Sequence, residues 1–108
     1  MIIKGARQGD VLIVPAENLP DTAHPVKDEN GRHILAHGEA TGHHHSFKAG
    51  PQVAMFRETG KGSGVYVKLD APAPLEHQEH TALTFSPGVK RVIRQRVFSS
   101  GMARRLAD

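Results

Sequence analysis

Three consecutive histidines, His43, His44 and His45, stand behind a glycine in the stretch GEATGHHHSF at positions 38–47. Two more, His77 and His80, follow in LEHQEH, flanked by Glu76 and Glu79. Imidazole titrates near pH 6.5, so in neutral water it can accept a proton, donate one or ligate a metal. If residues 43–47 are extended, period two puts His43 and His45 on one face with Phe47, and His44, Ser46 and Lys48 on the other. His77 and His80 would face opposite sides of a regular strand. Both join one site only if a bulge or turn intervenes.

Two chemistries suit this set. In the first, paired histidines cleave a phosphodiester without a metal. One neutral imidazole removes the proton of an attacking 2′-hydroxyl, and one imidazolium protonates the leaving 5′-oxygen. The catalytic candidates are His43 or His45 for one role and His77 or His80 for the other. Lys48, Lys61, Arg94 and Arg96 are the candidate substrate-binding cations, since positive charge stabilises what builds on phosphorus. This reading needs no cofactor, and its ligand is an anionic nucleotide or RNA-like molecule. In the second, His43, His45, His77 and His80, with Glu76 as a nearby carboxylate, form a transition-metal centre suited to zinc, iron, nickel or manganese. A third reading is non-catalytic, an accessory module whose basic last strand binds protein or nucleic acid. On period two Lys90, Arg94 and Arg96 share one face of that strand. The bland alternatives are a hydrated polar edge for the histidines and a charged outer sheet face for the cations. The loop GKGSG at 60–64 fails the phosphate-loop pattern and precedes a strand rather than a helix, so it reads as a hairpin loop.

The elements that must carry these residues read as strands. VLIV at 11–14 is short and β-branched, and Pro15 is expected to end it. HPVKDENGRHILAH reads as a hairpin around Asn30-Gly31, the dipeptide that a type I′ turn demands. VAMFRE (53–58), GVYVKLD (64–70), TALTF (81–85) and VKRVIRQRVF (89–98) follow, with Val65, Val67 and Leu69 on one face of theirs. The tail SSGMARRLAD has helical character, with Ser99 or Ser100 as N-cap. Turn signals recur about every ten residues, as in an all-β barrel or sandwich.

Length allows one domain, residues 1–108, with a single modest core, since 38% of the chain's residues are apolar and 5% aromatic. With no cysteine, disulfides and thiolate ligands are excluded. No run approaches the ~18 apolar residues of a membrane span, and MIIKGARQGDVLIV lacks the apolar region of a signal peptide. A cytoplasmic protein without membrane contact is therefore expected, and a homodimer, because so small a core gains from association. Net charge is +3, with the basic residues concentrated late in KRVIRQR and ARR, which favours an anionic partner.

The order Gly38, HHH, His80 and SPG (86–88) resembles a cupin, which implies a small β-barrel with a His-ligated metal. The glutamate that cupins carry shortly after H-x-H has no counterpart, since SFKAGPQ follows. RQGDVLIVP, LAHGEATGHHH, LEHQEH, SPGVKRVIRQR and the ending LAD resemble, over nearly the whole chain, a widespread group of small bacterial and phage-encoded proteins of unclear role, associated with mobile elements. A fainter resemblance is to the small ring nucleases of type III CRISPR defence, which implies a cyclic oligoadenylate as substrate and assigns no residue. The expected fold is a small single-domain all-β barrel or sandwich, cupin-like or SH3-like, with a short C-terminal helical turn.

Overall fold

Alternation along GVYVKLD decides which side of that strand is covered: Val67 and Leu69 are buried, and Lys68 between them is exposed. The same rule, applied strand by strand, builds two sheets with one apolar face each. The structure is a computed structural model describing residues 1–37, 42–59 and 64–94, and the backbone of 96–99 and 102–105. In chain order its strands are β1 (Ile2–Ile3), β2 (Ala6–Gln8), β3 (Val11–Ala16), β4 (Ala23–Val26), β5 (Arg32–His37), β6 (His44–Lys48), β7 (Val53–Glu58), β8 (Val65–Leu69), β9 (Ala73–Glu76), β10 (Leu83–Phe85), β11 (Gly88–Arg94), β12 (Arg96–Ser99) and β13 (Met102–Arg105). The first sheet has the order β1-β10-β9-β6-β5 and the second β2-β3-β11-β8-β7-β4. Neither closes on itself, so the fold is an all-β sandwich.

The core lies between the sheets. Leu35, Phe47, Leu75 and Phe85 come from the first, and Val11, Ile13, Met55, Val67 and Leu69 from the second. Phe47 and Phe85 meet edge to face, with ring centroids 6.3 Å apart, a favoured geometry for two aromatic quadrupoles. β1 runs parallel to β10, and the chain then crosses to the second sheet through Lys4 and Gly5. The crossing is tight: a Cβ on Gly5 would lie 2.8 Å from the Ile13 carbonyl oxygen. It is pinned by Lys90 of β11, whose buried Nζ donates to the Lys4 carbonyl and to Ser86 Oγ, both at 3.0 Å. Burial first, and then the charge of Lys4, hold the Lys90 pKa below its ordinary value.

Four expectations change. Asn30 and Gly31 do form a tight turn, at φ 51° and 82°, with Glu29 and Arg32 exchanging backbone hydrogen bonds. The strands it joins then separate, β4 pairing with β7 and β5 with β6, so this is a sheet-to-sheet corner and not a hairpin. Pro15 lies inside β3, beyond the end of β2, where β11 alone still flanks the strand. The C-terminal helical turn is replaced by the antiparallel pair β12–β13, with Arg96 opposite Arg105 and Phe98 opposite Ala103. Val97 and Phe98 favour extended backbone. Finally, Lys90 and Arg94 do share a face of β11, but it faces inward, so they form no exposed basic stripe. No helix among the described residues is long and apolar enough to cross a membrane.

Phe47 is fully buried and centred on this core. Phe47→Ala is expected to lower the unfolding free energy by about 3–5 kcal/mol, measured by urea denaturation. A loss under ~1 kcal/mol would mean that the core can close over the gap.

Candidate active site

The histidines gather at one end of the sandwich because several strands stop there. His37, the last residue of β5, pairs with His44, the first of β6, and Glu76, the last of β9, pairs with Ser46. On the facing sheet Arg94, at the end of β11, pairs with Val11, at the start of β3. A register shift between Ile34 and Ala36 lets both Leu35 and Ala36 turn inward just before this end, the local re-aiming expected of a β-bulge.

His45 is the deepest of the set, with no exposed surface. Its Nδ1 lies 2.9 Å from Gln8 Oε1. The Gln8 amide has one possible orientation, because its Nε2 donates to the carbonyls of Leu75 (2.9 Å) and Thr81 (3.0 Å). Oε1 therefore accepts, and the proton sits on His45 Nδ1. On the other side of the ring, Nε2 lies 3.5 Å from Asp10 Oδ1, and Asp10 is also completely buried. Arg94 Nε donates to Asp10 Oδ2 at 2.9 Å, and Arg94 Nη2 to the His37 carbonyl. The chain Gln8–His45–Asp10–Arg94 thus links both sheets.

Against this base stand the other rings. After β9 the chain bends through 78–80, which brings His80 to His77, ring centroids 4.6 Å apart. His77 also lies 4.4 Å from His45 and 5.7 Å from His43, while His45 and His80 stack at 6.0 Å. His77 is therefore the middle ring of the cluster. Its Nδ1 accepts the Glu79 backbone N–H at 3.0 Å, so in the neutral ring the proton sits on Nε2. Glu79 addresses His43 as well: its Oε1 lies 3.0 Å from His43 Nδ1. The approach is oblique, without hydrogen-bond alignment, but the carboxylate still favours a proton on Nδ1 and leaves Nε2 as the basic atom. His80 Nε2 is buried and has no hydrogen-bond partner among the described residues.

The outer face of the same sheet carries a second arrangement. Arg32, His44, Ser46, Glu76, His77 and Gln78 line a cleft of about 260 Å³. Arg32 Nε donates to the fully buried Ser46 Oγ at 2.6 Å, and its Nη2 pairs with Glu76 Oε1 at 2.5 Å. Burial first, and then the charge of Arg32 with the neighbouring rings of His37 and His45, push the His44 pKa below 6.5, against a weaker pull from Glu29.

Of the sequence candidates, His43, His45, His77 and His80 are brought together, and Arg94 reaches them through Asp10. Glu76 is not with them. Period two turns Leu75 and His77 inward and Glu76 outward, to Arg32. Lys48 is exposed at the far end of β6. Lys61 lies outside the described residues, and for Arg96 the backbone of β12 is described. The cupin resemblance implies a metal, held by His43, His45, His77 and His80. Among the described residues no three His, Asp or Glu are arranged to hold an ion. The central ring, His77, has its Nδ1 occupied by an N–H donor, which leaves the proton on the other nitrogen. Gln8, Asp10 and Arg32 are the residues that the motifs did not single out for a role. The signal for two of them was polarity at the mouth of an apolar strand, in RQGDVLIV.

A family model described as Domain of unknown function (DUF8820) matches residues 7–95, and the chain belongs to that family. The matched span holds Gln8, Asp10, Arg94 and every histidine of the cluster, and stops before β12. Comparison with curated proteins and with solved structures finds no significant match.

Two outcomes are expected. Asp10→Ala leaves Arg94 and His45 facing a buried gap, and should cost about 3–5 kcal/mol of stability in chemical denaturation. A change under ~1 kcal/mol would mean that the ion pair contributes little there. For His44, the unfolded chain takes up a proton near 6.5 and the folded one only at lower pH. Stability should therefore fall as pH drops below 6.5, and His44→Gln should flatten that part of a melting-temperature profile.

Proposed function

We propose that this DUF8820 chain is a metal-independent phosphodiesterase, with His43 as general base, His77 as a neutral hydrogen-bond donor to the phosphoryl group and His80 as general acid. The observation that carries the reading is the double use of Glu79. Its carboxylate faces His43 Nδ1 while its backbone N–H occupies His77 Nδ1. One residue thereby gives neighbouring rings opposite tautomers, a lone pair on His43 Nε2 and a proton on His77 Nε2.

The substrate class follows from the acid/base pair. A base beside an acid suits a nucleophile the substrate itself carries, the 2′-hydroxyl of RNA or of a cyclic oligonucleotide such as a cyclic oligoadenylate. His43 Nε2 takes the 2′-hydroxyl proton as that oxygen bonds to phosphorus. The P–O5′ bond breaks, and His80 delivers a proton to the departing 5′-oxygen. His77, between the two, donates to the phosphoryl oxygen as negative charge grows there. The products are a 2′,3′-cyclic phosphate and a free 5′-hydroxyl. His45, held by Gln8 and facing Asp10, is a positioning residue that supports His77 from beneath.

The test is cleavage of an RNA oligonucleotide and of a cyclic oligoadenylate in EDTA, with products read by mass spectrometry. His43→Gln and His80→Gln should each lower the rate by about 10²–10⁴-fold, and a 2′-deoxy substitution at the scissile site should abolish it. Metal content of tag-free protein is measured alongside. About one tightly held transition metal per chain, or activity lost on chelation and restored by metal, would overturn the proposal.

A further inference from the structure

The outer cleft is not consumed by this mechanism, yet it shares His77 with it. Its donors are incompletely used. Arg32 employs Nε and Nη2 on Ser46 and Glu76, while Nη1 has no recorded partner among the described residues. Gln78 Oε1 accepts the His44 backbone N–H at 2.8 Å, which turns its amide nitrogen toward His44 Nε2 at 3.4 Å. That nitrogen donates, so the His44 proton sits on Nδ1, which is buried without a hydrogen-bond partner. Lys48 stands opposite Arg32 in the β5–β6 register, so two cations share this face. The single carboxylate among the lining residues, Glu76, is half exposed and binds Arg32 through one oxygen. An exposed pair of this kind contributes little and can exchange for a better anion.

We propose that the cleft is a phosphate subsite, in which an anionic oxygen takes Arg32 Nη1 and His44 Nδ1–H beside His77, displacing Glu76 from Arg32. That the anion is a phosphate of the cleaved nucleotide rests on the acid/base reading above. A planar guanidinium fixed by a buried serine suits a phosphate, because its remaining N–H groups are held in direction before the ligand arrives. Arg32, whose charge adds to burial in depressing His44, favours an anion for the same reason. The subsite would select ligands carrying a second phosphate next to the scissile one, as every internal or cyclic oligonucleotide linkage has.

The experiment titrates the full chain with inorganic phosphate and follows backbone amide shifts. Saturable shifts at Arg32, His44, Ser46 and Gln78 are expected. Arg32→Gln should weaken binding by about tenfold or more, Arg32→Lys should recover part of it, and Glu76→Gln should tighten it. Each variant's unfolding curve separates lost binding from lost folding. If Arg32→Gln does not fold, Glu76→Gln decides: no tightening overturns the subsite. Shifts confined to other surfaces, or insensitive to Arg32, overturn it as well. RNA cleavage measured in parallel keeps the two proposals apart. Phosphate bound in the cleft without cleavage upholds the subsite and sinks the acid/base reading, and cleavage with no phosphate in the cleft does the reverse.

Discussion

The amide of Gln8 has two N–H donors and one carbonyl oxygen, and both sheets depend on how they are shared out. The donors go to the carbonyls of Leu75 and Thr81, across the sandwich from β2. The oxygen is left for His45 Nδ1. Everything at this end follows from that assignment. His45 cannot rotate without stranding a buried acceptor, which would cost about 1–3 kcal/mol. With His45 fixed, Asp10 has a defined neighbour, Arg94 a defined partner, and His77 a flat surface to pack against. A leucine in place of Gln8 would fill the space and undo the arrangement.

The inside of the sandwich and the outer face of the first sheet handle charge in opposite ways. Inside, Asp10 and Arg94 are committed to each other and to backbone, and Lys90 is satisfied by a carbonyl and a hydroxyl. These contacts are largely buried at the Asp10 and Lys90 ends and hold geometry. Outside, Arg32 and Glu76 meet where water competes for both. The first arrangement suits a scaffold, the second a place where partners change. His77 is the one residue common to both, lining the outer cleft while belonging to the inner cluster.

Much of this was readable in the residues themselves, and the limits were physical. Clean alternation located β8, and Asn30-Gly31 located a turn with positive φ at both positions. Where the flanking strands would go was not readable, because β4 and β5 find partners in different sheets through contacts distant in the chain. The gathering of His43, His45, His77 and His80 was foreseeable as a set but depended on a bend after β9 that spacing alone leaves open. Glu76 was grouped with them by proximity, although period two turns it away. Gln8 and Asp10 escaped notice for a related reason. A polar residue reveals a buried role only through its partner, and theirs lie 67 and 84 residues along the chain, at Leu75 and Arg94. The tail was misread as helical because short basic stretches satisfy weak helical periodicity, while strand pairing depends on the neighbour.

The register of the sheets has a consequence for how the molecule comes into being. Ile2 and Ile3 pair with Thr84 and Phe85, and β3 lies against β11, with Val11 opposite Arg94. Residues 2–3 and 11–16 are thus joined to residues 84–85 and 89–94. During synthesis β3 must wait as an exposed apolar strand, with β2 as its only sheet neighbour, until β11 has left the ribosome. High contact order of this kind slows folding, since long loops must close before any contact rewards them. The polar Gln8 and Asp10 beside Val11 and Ile13 then have a second merit: they keep the early apolar segment short while it waits.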